Sequence, residues 1–253
     1  RRADLLLLRL NRLFSTSAGI DASLCTLCYG LVFLRFRLEK VVQRRHEQFA
    51  LAMLKNAFSS LTLSGNIIAA FDSPVTRLSE VTTGLRALEE TISDFRIFVR
   101  LWGLLGIYVS ARDHVLNPPR DAFLSILASM RIAADVTFQA IENAAYLASK
   151  GVLRGNFWRE KEGQLWLWSN RFWMASCLFE VLRLLRVWQN ETNLEQVSGL
   201  EIEKQQWRDG FYLNAGWLPL TWHWSWTEAT FSDTWVGLGG LLPAIVSLRK
   251  AWK

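Results

Sequence analysis

The chain has 253 residues, of which 51% are hydrophobic, only 21% are charged, and 13 are tryptophan. That apolar share excludes a disordered chain, and the low charge excludes a coiled coil or a solvated tail. The formal net charge of +6 sits wholly in residues 1–55, where ten Lys/Arg face four acids; the remainder balances.

Three cysteines make no disulfide framework, which implies a reducing compartment. Mean hydropathy of +0.12 lies between an ordinary soluble protein and a multi-spanning membrane protein, and points to contact with lipid. A basic N-terminal region suits a polyanion, either nucleic acid or an anionic membrane. No zinc-finger spacing, RNP-like motif or Arg/Gly repeat supports nucleic acid, so an anionic phospholipid membrane is the expected partner.

In chain order, Asp4 to Phe14 reads as a short leucine-rich helix that stops near Ser15 to Gly19. Its run Leu5 to Leu8 is too short for a signal-peptide core. A second helix runs from Asp21 into the forties, with apolar residues recurring at three and four. Leu27, Leu31, Leu34 and Leu38 share a face expected to meet acyl chains, and Arg37, Lys40 and Arg44 lie opposite, toward headgroups. The same stripe also suits a surface helix of a soluble bundle. Arg35 and Arg45 fall within the apolar sector, where each must snorkel or find a partner.

Ser73-Pro74 signals a helix that reaches toward Asp113, with a break expected near Ser93. Asn117-Pro118-Pro119 ends it and opens another, which runs to Lys150-Gly151. That helix carries Arg131, Asp135, Gln139 and Glu142 at steps of three and four. Such a stripe is ordinarily a solvent face; packed inside a bundle, it becomes a hydrogen-bonded seam or a water-filled path. Bulky aliphatic neighbours favour a seam of Arg96, Arg100, Asp135 and Glu142.

Gln164 to Gln189 reads as a tryptophan-rich helix, and a last apolar unit follows, divided by Glu228 and Asp233. Trp217, Trp222, Trp224, Trp226 and Trp252 are expected at membrane interfaces, with the basic cluster Arg249, Lys250 and Lys253 on the cytosolic side. The fold expected is all-α, with four regions. They are a basic amphipathic region (1–72), a central helical bundle (73–190), a polar linker (191–209) and a C-terminal membrane-embedded segment (210–253).

Chemistry-bearing motifs are missing. Cys25-Thr26-Leu27-Cys28 is a CxxC, but one further cysteine and three scattered histidines give no second ligand pair, so both thiols read as small core residues. His223 sits among tryptophans with no acid at a useful spacing. There is no G-x-x-x-x-G-K-[ST], G-x-S-x-G or H-E-x-x-H. No enzyme activity, cofactor or metal is expected. Gly237-Leu238-Gly239-Gly240 follows no strand and reads as a helix-packing site.

Several blocks carry a resemblance. Arg9-Leu10-Asn11-Arg12-Leu13-Phe14-Ser15-Thr16 with Gly19, Asp21 and Tyr29 resembles the opening of the peroxin-11 family of peroxisomal membrane proteins. Ile92-Ser93-Asp94-Phe95-Arg96 with Arg100-Leu101-Trp102-Gly103-Leu104, Glu142 to Leu147, and Leu165 to Arg171 follow in order. Pro219 to Ser225 and Phe231-Ser232-Asp233 with Val236-Gly237 resemble the family's last hydrophobic unit. The chain is read as a fungal member of the C or gamma type. The resemblance implies a helical integral protein of the peroxisomal membrane that remodels and elongates it through an N-terminal amphipathic helix. It further implies homo-oligomers and recruitment of fission machinery, a dynamin-related protein and its adaptor. Channel activity for small solutes is the alternative that it carries.

Overall fold

The structure is a computed structural model and describes residues 2–60, 74–192, 200–228 and 230–252. Among the described residues the chain is helical and contains no strand. The helices are α1 (Arg2–Phe14), α2 (Ser17–Ser60), α3 (Pro74–Arg100), α4 (Gly103–Leu116), α5 (Ala122–Ser149), α6 (Asn156–Thr192), α7 (Leu200–Trp224) and α8 (Asp233–Trp252).

Local chemistry sets the ends. The hydroxyl of Ser15 donates to the Arg12 carbonyl at 2.7 Å and closes α1. Thr16 then caps α2, its Oγ1 accepting from the Gly19 amide at 3.1 Å. A side chain at Gly19 would collide with the Leu13 carbonyl, so the α1–α2 corner requires glycine. At the end of α5 Gly151 takes φ 69°, and the amides of Gly151 and Val152 donate to the carbonyls of Ala148 and Leu147, each at 2.9 Å. This is the left-handed glycine stop of a Schellman motif. The break after α3 falls at Leu101-Trp102 rather than near Ser93, because Asn143 on α5 donates to the Leu101 carbonyl at 3.0 Å and fixes the bend there.

Six helices pack side by side in the order α3, α2, α8, α7, α6, α5, and α5 returns to α3 to close a ring. These pairings join the basic N-terminal region directly to the C-terminal segment, across the four regions drawn from the sequence. Part of the expected polar linker is helix: α7 begins at Leu200, Trp207 donates its indole N–H to the Leu184 carbonyl at 2.8 Å, and Asp209 is buried. Residues 61–73 and 193–199, which hold Ser73 and the rest of that linker, lie outside the described residues.

Small residues let α8 approach closely. A Cβ on Gly240 would overlap the Tyr29 ring, one on Gly237 would lie 3.0 Å from Phe33, and one on Gly216 would overlap Pro243. The Gly237 to Gly240 stretch is thus a helix-packing site. α5 and α6 are held instead by charge. Arg131 Nη1 donates to Glu180 at 2.6 Å, Arg183 on α6 grips the same carboxylate at 2.7 Å, and Arg186 donates to Asp121 at 3.0 Å. Burial opposes the charge on Glu180, yet Arg183 and Arg131 outweigh it and hold the carboxyl below its ordinary 4.5.

Three variants test this packing by thermal unfolding of the detergent-solubilised chain. Gly240→Ala should cost about 1–3 kcal/mol by overpacking against Tyr29. Gly84→Ala, whose Cβ meets nothing, should be neutral or mildly stabilising. Glu180→Gln should cost about 2 kcal/mol at neutral pH, because two guanidiniums lose the negative charge that compensates them and one of the two carboxylate oxygens. A carboxyl held low contributes its stability above 4.5 and loses it as pH falls through the lower folded-state value. The deficit of Glu180→Gln should therefore shrink below that pH.

Candidate functional site

The N-terminal surface is apolar where it is exposed. On α1, Leu5 to Leu8 and Phe14 are exposed, and Leu13 is the buried residue that seats the helix. Around the helix Leu6 lies beside Leu13, Leu7 and Phe14 follow on one side, and exposed Arg9 and Arg12 lie on the other. This short helix presents a stronger interfacial pattern than α2, on which the sequence reading concentrated. The signal was present in the leucine periodicity.

On α2 the expected acyl-facing set divides. Leu27 and Leu34 are 49% and 47% exposed, Leu38 is half-buried, but Leu31 is only 8% exposed and packs with Cys28 and Ile92 under α3. Leu31 is therefore a core residue and leaves the set. The reason is that α3 covers one edge of the apolar stripe and leaves the other bare. Arg37, Lys40 and Arg44 are all exposed beside the bare edge. Arg35 is buried and finds its partners in Glu89 at 2.8 Å, Glu39 at 3.0 Å and Asp233 at 3.6 Å. From Gln43 to Ala52 every side chain is exposed, so the second half of this helix, about 66 Å long in all, leaves the ring.

The polar stripe turns inward and separates into two places. Arg100 donates to Glu142 at 2.9 Å between α3 and α5, and Arg96 donates to Asp21 at 2.9 Å between α3 and α2. Asp135 joins neither arginine; it accepts from Ser176 on α6 at 2.5 Å and lies 3.6 Å from Arg131. At the ring's centre is a cavity of about 440 Å³. Arg96 and Arg100 lie on one side, and Trp173, Trp217 and Trp224 also line it. Trp217 and Trp224 thus face inward, whereas Trp222 and Trp226 are exposed, as an interface position requires.

The remaining singled-out residues are structural. Cys25 and Cys28 are buried free thiols in the α2 packing face. His223 accepts through Nδ1 from the amides of Thr230 and Phe231, both at 3.1 Å, and so closes the turn between α7 and α8. Among the described residues no group of three or more His, Cys, Asp or Glu is placed to hold a metal ion.

Among the described residues two helices, over Ser17–Lys55 and Ala122–Ser149, are long and apolar enough to cross a membrane. Neither α7 nor α8, where the embedded segment was expected, is among them. α7 is interrupted by Pro219, and α8 buries Gly237, Gly240, Pro243 and Ala244 against its neighbours.

The family described as Peroxisomal biogenesis factor 11 (PEX11) matches residues 75–209. A relative, the uncharacterized protein C1F12.04c of Schizosaccharomyces pombe, is 30% identical over 185 residues, 72% of this chain and 85% of that protein. No solved structure matches. The family is one of peroxisome biogenesis factors and not of enzymes. Its match spans more than half of this chain, from the opening of α3 through the first residues of α7, and on that ground the protein belongs to the PEX11 family.

Proposed function

We propose that this chain remodels and elongates the peroxisomal membrane by inserting α1 and the exposed edge of α2 into the cytosolic leaflet, and by self-association. The observation that carries the reading is the exposed leucine face of α1, followed by Arg37, Lys40 and Arg44 along the outer face of α2. Apolar side chains enter the acyl boundary while the basic residues meet anionic headgroups. Insertion into one leaflet expands it and drives curvature. Homo-oligomers and recruitment of a dynamin-related protein with its adaptor complete the reading as elongation followed by fission. The family match and the apolar outer surface of α4, where no residue is buried, support self-association.

Full-length protein reconstituted with anionic vesicles tests this. Each basic residue near such a surface contributes about 1 kcal/mol, so replacing Arg37, Lys40 and Arg44 with Ser should weaken association on the order of 100-fold at low salt. Leu6→Glu with Leu7→Glu should abolish vesicle tubulation under electron microscopy while leaving the melting temperature unchanged, because both residues are exposed. Tubulation retained by the double variant would refute α1 as the wedge.

A second reading, a conduit for small solutes, draws on the central cavity of about 440 Å³. The carboxylate of Glu142 is buried and paired with Arg100, which favours a structural seam over a wet lining. In planar bilayers Glu142→Gln should reduce stability or yield without altering ion selectivity. A reproducible conductance whose selectivity shifts in this variant would favour the conduit.

A further inference from the structure

The central cavity presents two kinds of recognition surface at once. On α3, Arg96 and Arg100 stand one helical turn apart and both line it. Arg96 commits Nε to Asp21, and Arg100 commits Nη2 to Glu142. The Nε of Arg100 is buried and meets no acceptor among the described residues. Guanidinium donors therefore remain for an oxyanion such as a phosphate.

The other surface is aromatic. Trp173 lies 5.2 Å from Trp217 and 5.9 Å from Trp224, and Tyr29 lies 5.6 Å from Trp217, between ring centroids. None of the three indole N–H groups has a protein acceptor among the described residues, in contrast to Trp207, which is bonded to Leu184. Indole faces are the preferred partners of ammonium and quaternary ammonium groups. Asp21 lines the same cavity and, with about half of its side chain exposed, supplies a negative charge.

A bare anion would leave the aromatic wall unused and would meet Asp21 and Glu142. An apolar molecule would leave the buried Nε of Arg100 without an acceptor. A molecule with both charges uses both walls. We propose that this cavity binds a zwitterionic phosphate–ammonium headgroup, of the phosphocholine or phosphoethanolamine type, with the phosphate on Arg96 and Arg100 and the ammonium against the tryptophans. A volume of about 440 Å³ holds roughly 15 water-sized groups, more than such a headgroup occupies. The site is separate from the exposed face of α1 and stands or falls independently of membrane insertion.

The test uses full-length protein in nanodiscs made only of phosphatidylglycerol, titrated with soluble phosphocholine, choline and inorganic phosphate by calorimetry. Phosphocholine should bind at least tenfold more tightly than either fragment. Arg100→Lys and Trp224→Leu should each weaken it at least tenfold, while Trp222→Phe on the outer surface should not. Nanodiscs containing phosphatidylcholine identify the source. If they abolish binding of soluble phosphocholine, the ligand is a membrane lipid; if they do not, it is a soluble headgroup, and the site stands either way. The Leu6→Glu, Leu7→Glu variant should bind phosphocholine as wild type does. Equal affinity for phosphate and phosphocholine, or no binding, overturns the proposal. So does unchanged binding by both cavity variants at wild-type melting temperature. Should the variants fail to fold, the fragment comparison on the wild-type chain decides alone.

Discussion

Charges placed inside a helical ring must be paired there, and the rest of this structure depends on how that is done. Arg35, Arg96, Arg100 and Arg131 each reach a carboxylate on another helix, at 2.8, 2.9, 2.9 and 2.6 Å. In each pair one partner is largely buried and the other is more exposed, so removing the more exposed partner leaves a charge without compensation. Each pair therefore behaves as a staple between specific helices: α2 to α3 twice, α3 to α5, and α5 to α6. The ordinary distribution of a soluble protein is reversed along these seams. Glu142, Glu180 and Arg35 are buried while Leu105, Val109, Val115 and Ile126 are exposed. An outward apolar surface of this kind marks an interaction with membrane or protein.

The other half of the ring is held mainly by close backbone approach, with the longer Arg35–Asp233 pair at 3.6 Å beside it. α8 enters between α2 and α7 because Gly237, Gly240 and Gly216 remove the side chains that would keep the backbones apart. Dispersion between closely approached helices needs no water to drive it, which suits a bundle that works in or on lipid. Polar staples on one side and glycine contacts on the other give the ring a definite register, around a centre that is not filled by aliphatic side chains. The cavity is the space left by that arrangement.

Much of this was legible in the sequence. Residue spacing pointed to the all-α fold and to the need of Arg35 for a partner, whereas a polar stripe at helical spacing suits a solvent face as well as a seam, so the Arg100–Glu142 pairing did not follow from periodicity alone. The missed features depend on which neighbour covers which edge. Leu31 and Leu34 share one stripe, yet α3 shields the first and leaves the second bare. Trp217 and Trp222 lie within one short segment, yet one lines the cavity and the other faces out. The helix at Leu200 was read as linker because its first turns are polar. Trp207 and Phe211, stacked at 5.4 Å, carry its packing.

The connection between α1 and the ring bears on how insertion at one end would act on a membrane. Thr16 and Gly19 fix a tight corner, and Leu13 is buried at that corner, so α1 is not a loose tail. A wedge on a flexible tether relaxes by tilting, whereas a wedge braced at a corner transmits its displacement to what holds it. α1 rests on α2 and on α8, and α2 is pinned through Arg35 to α3 and to Asp233 at the start of α8. Force on the leucine face of α1 therefore passes into the ring through the first turns of α2 and is resisted by ion pairs rather than by a hinge. The exposed second half of α2, with Arg44 and Arg45, lies beyond that brace and under the proposed insertion would lie along the membrane surface. Under the proposed insertion, the ring would set the angle of the wedge, and the basic helix would set the footprint over which that angle is imposed.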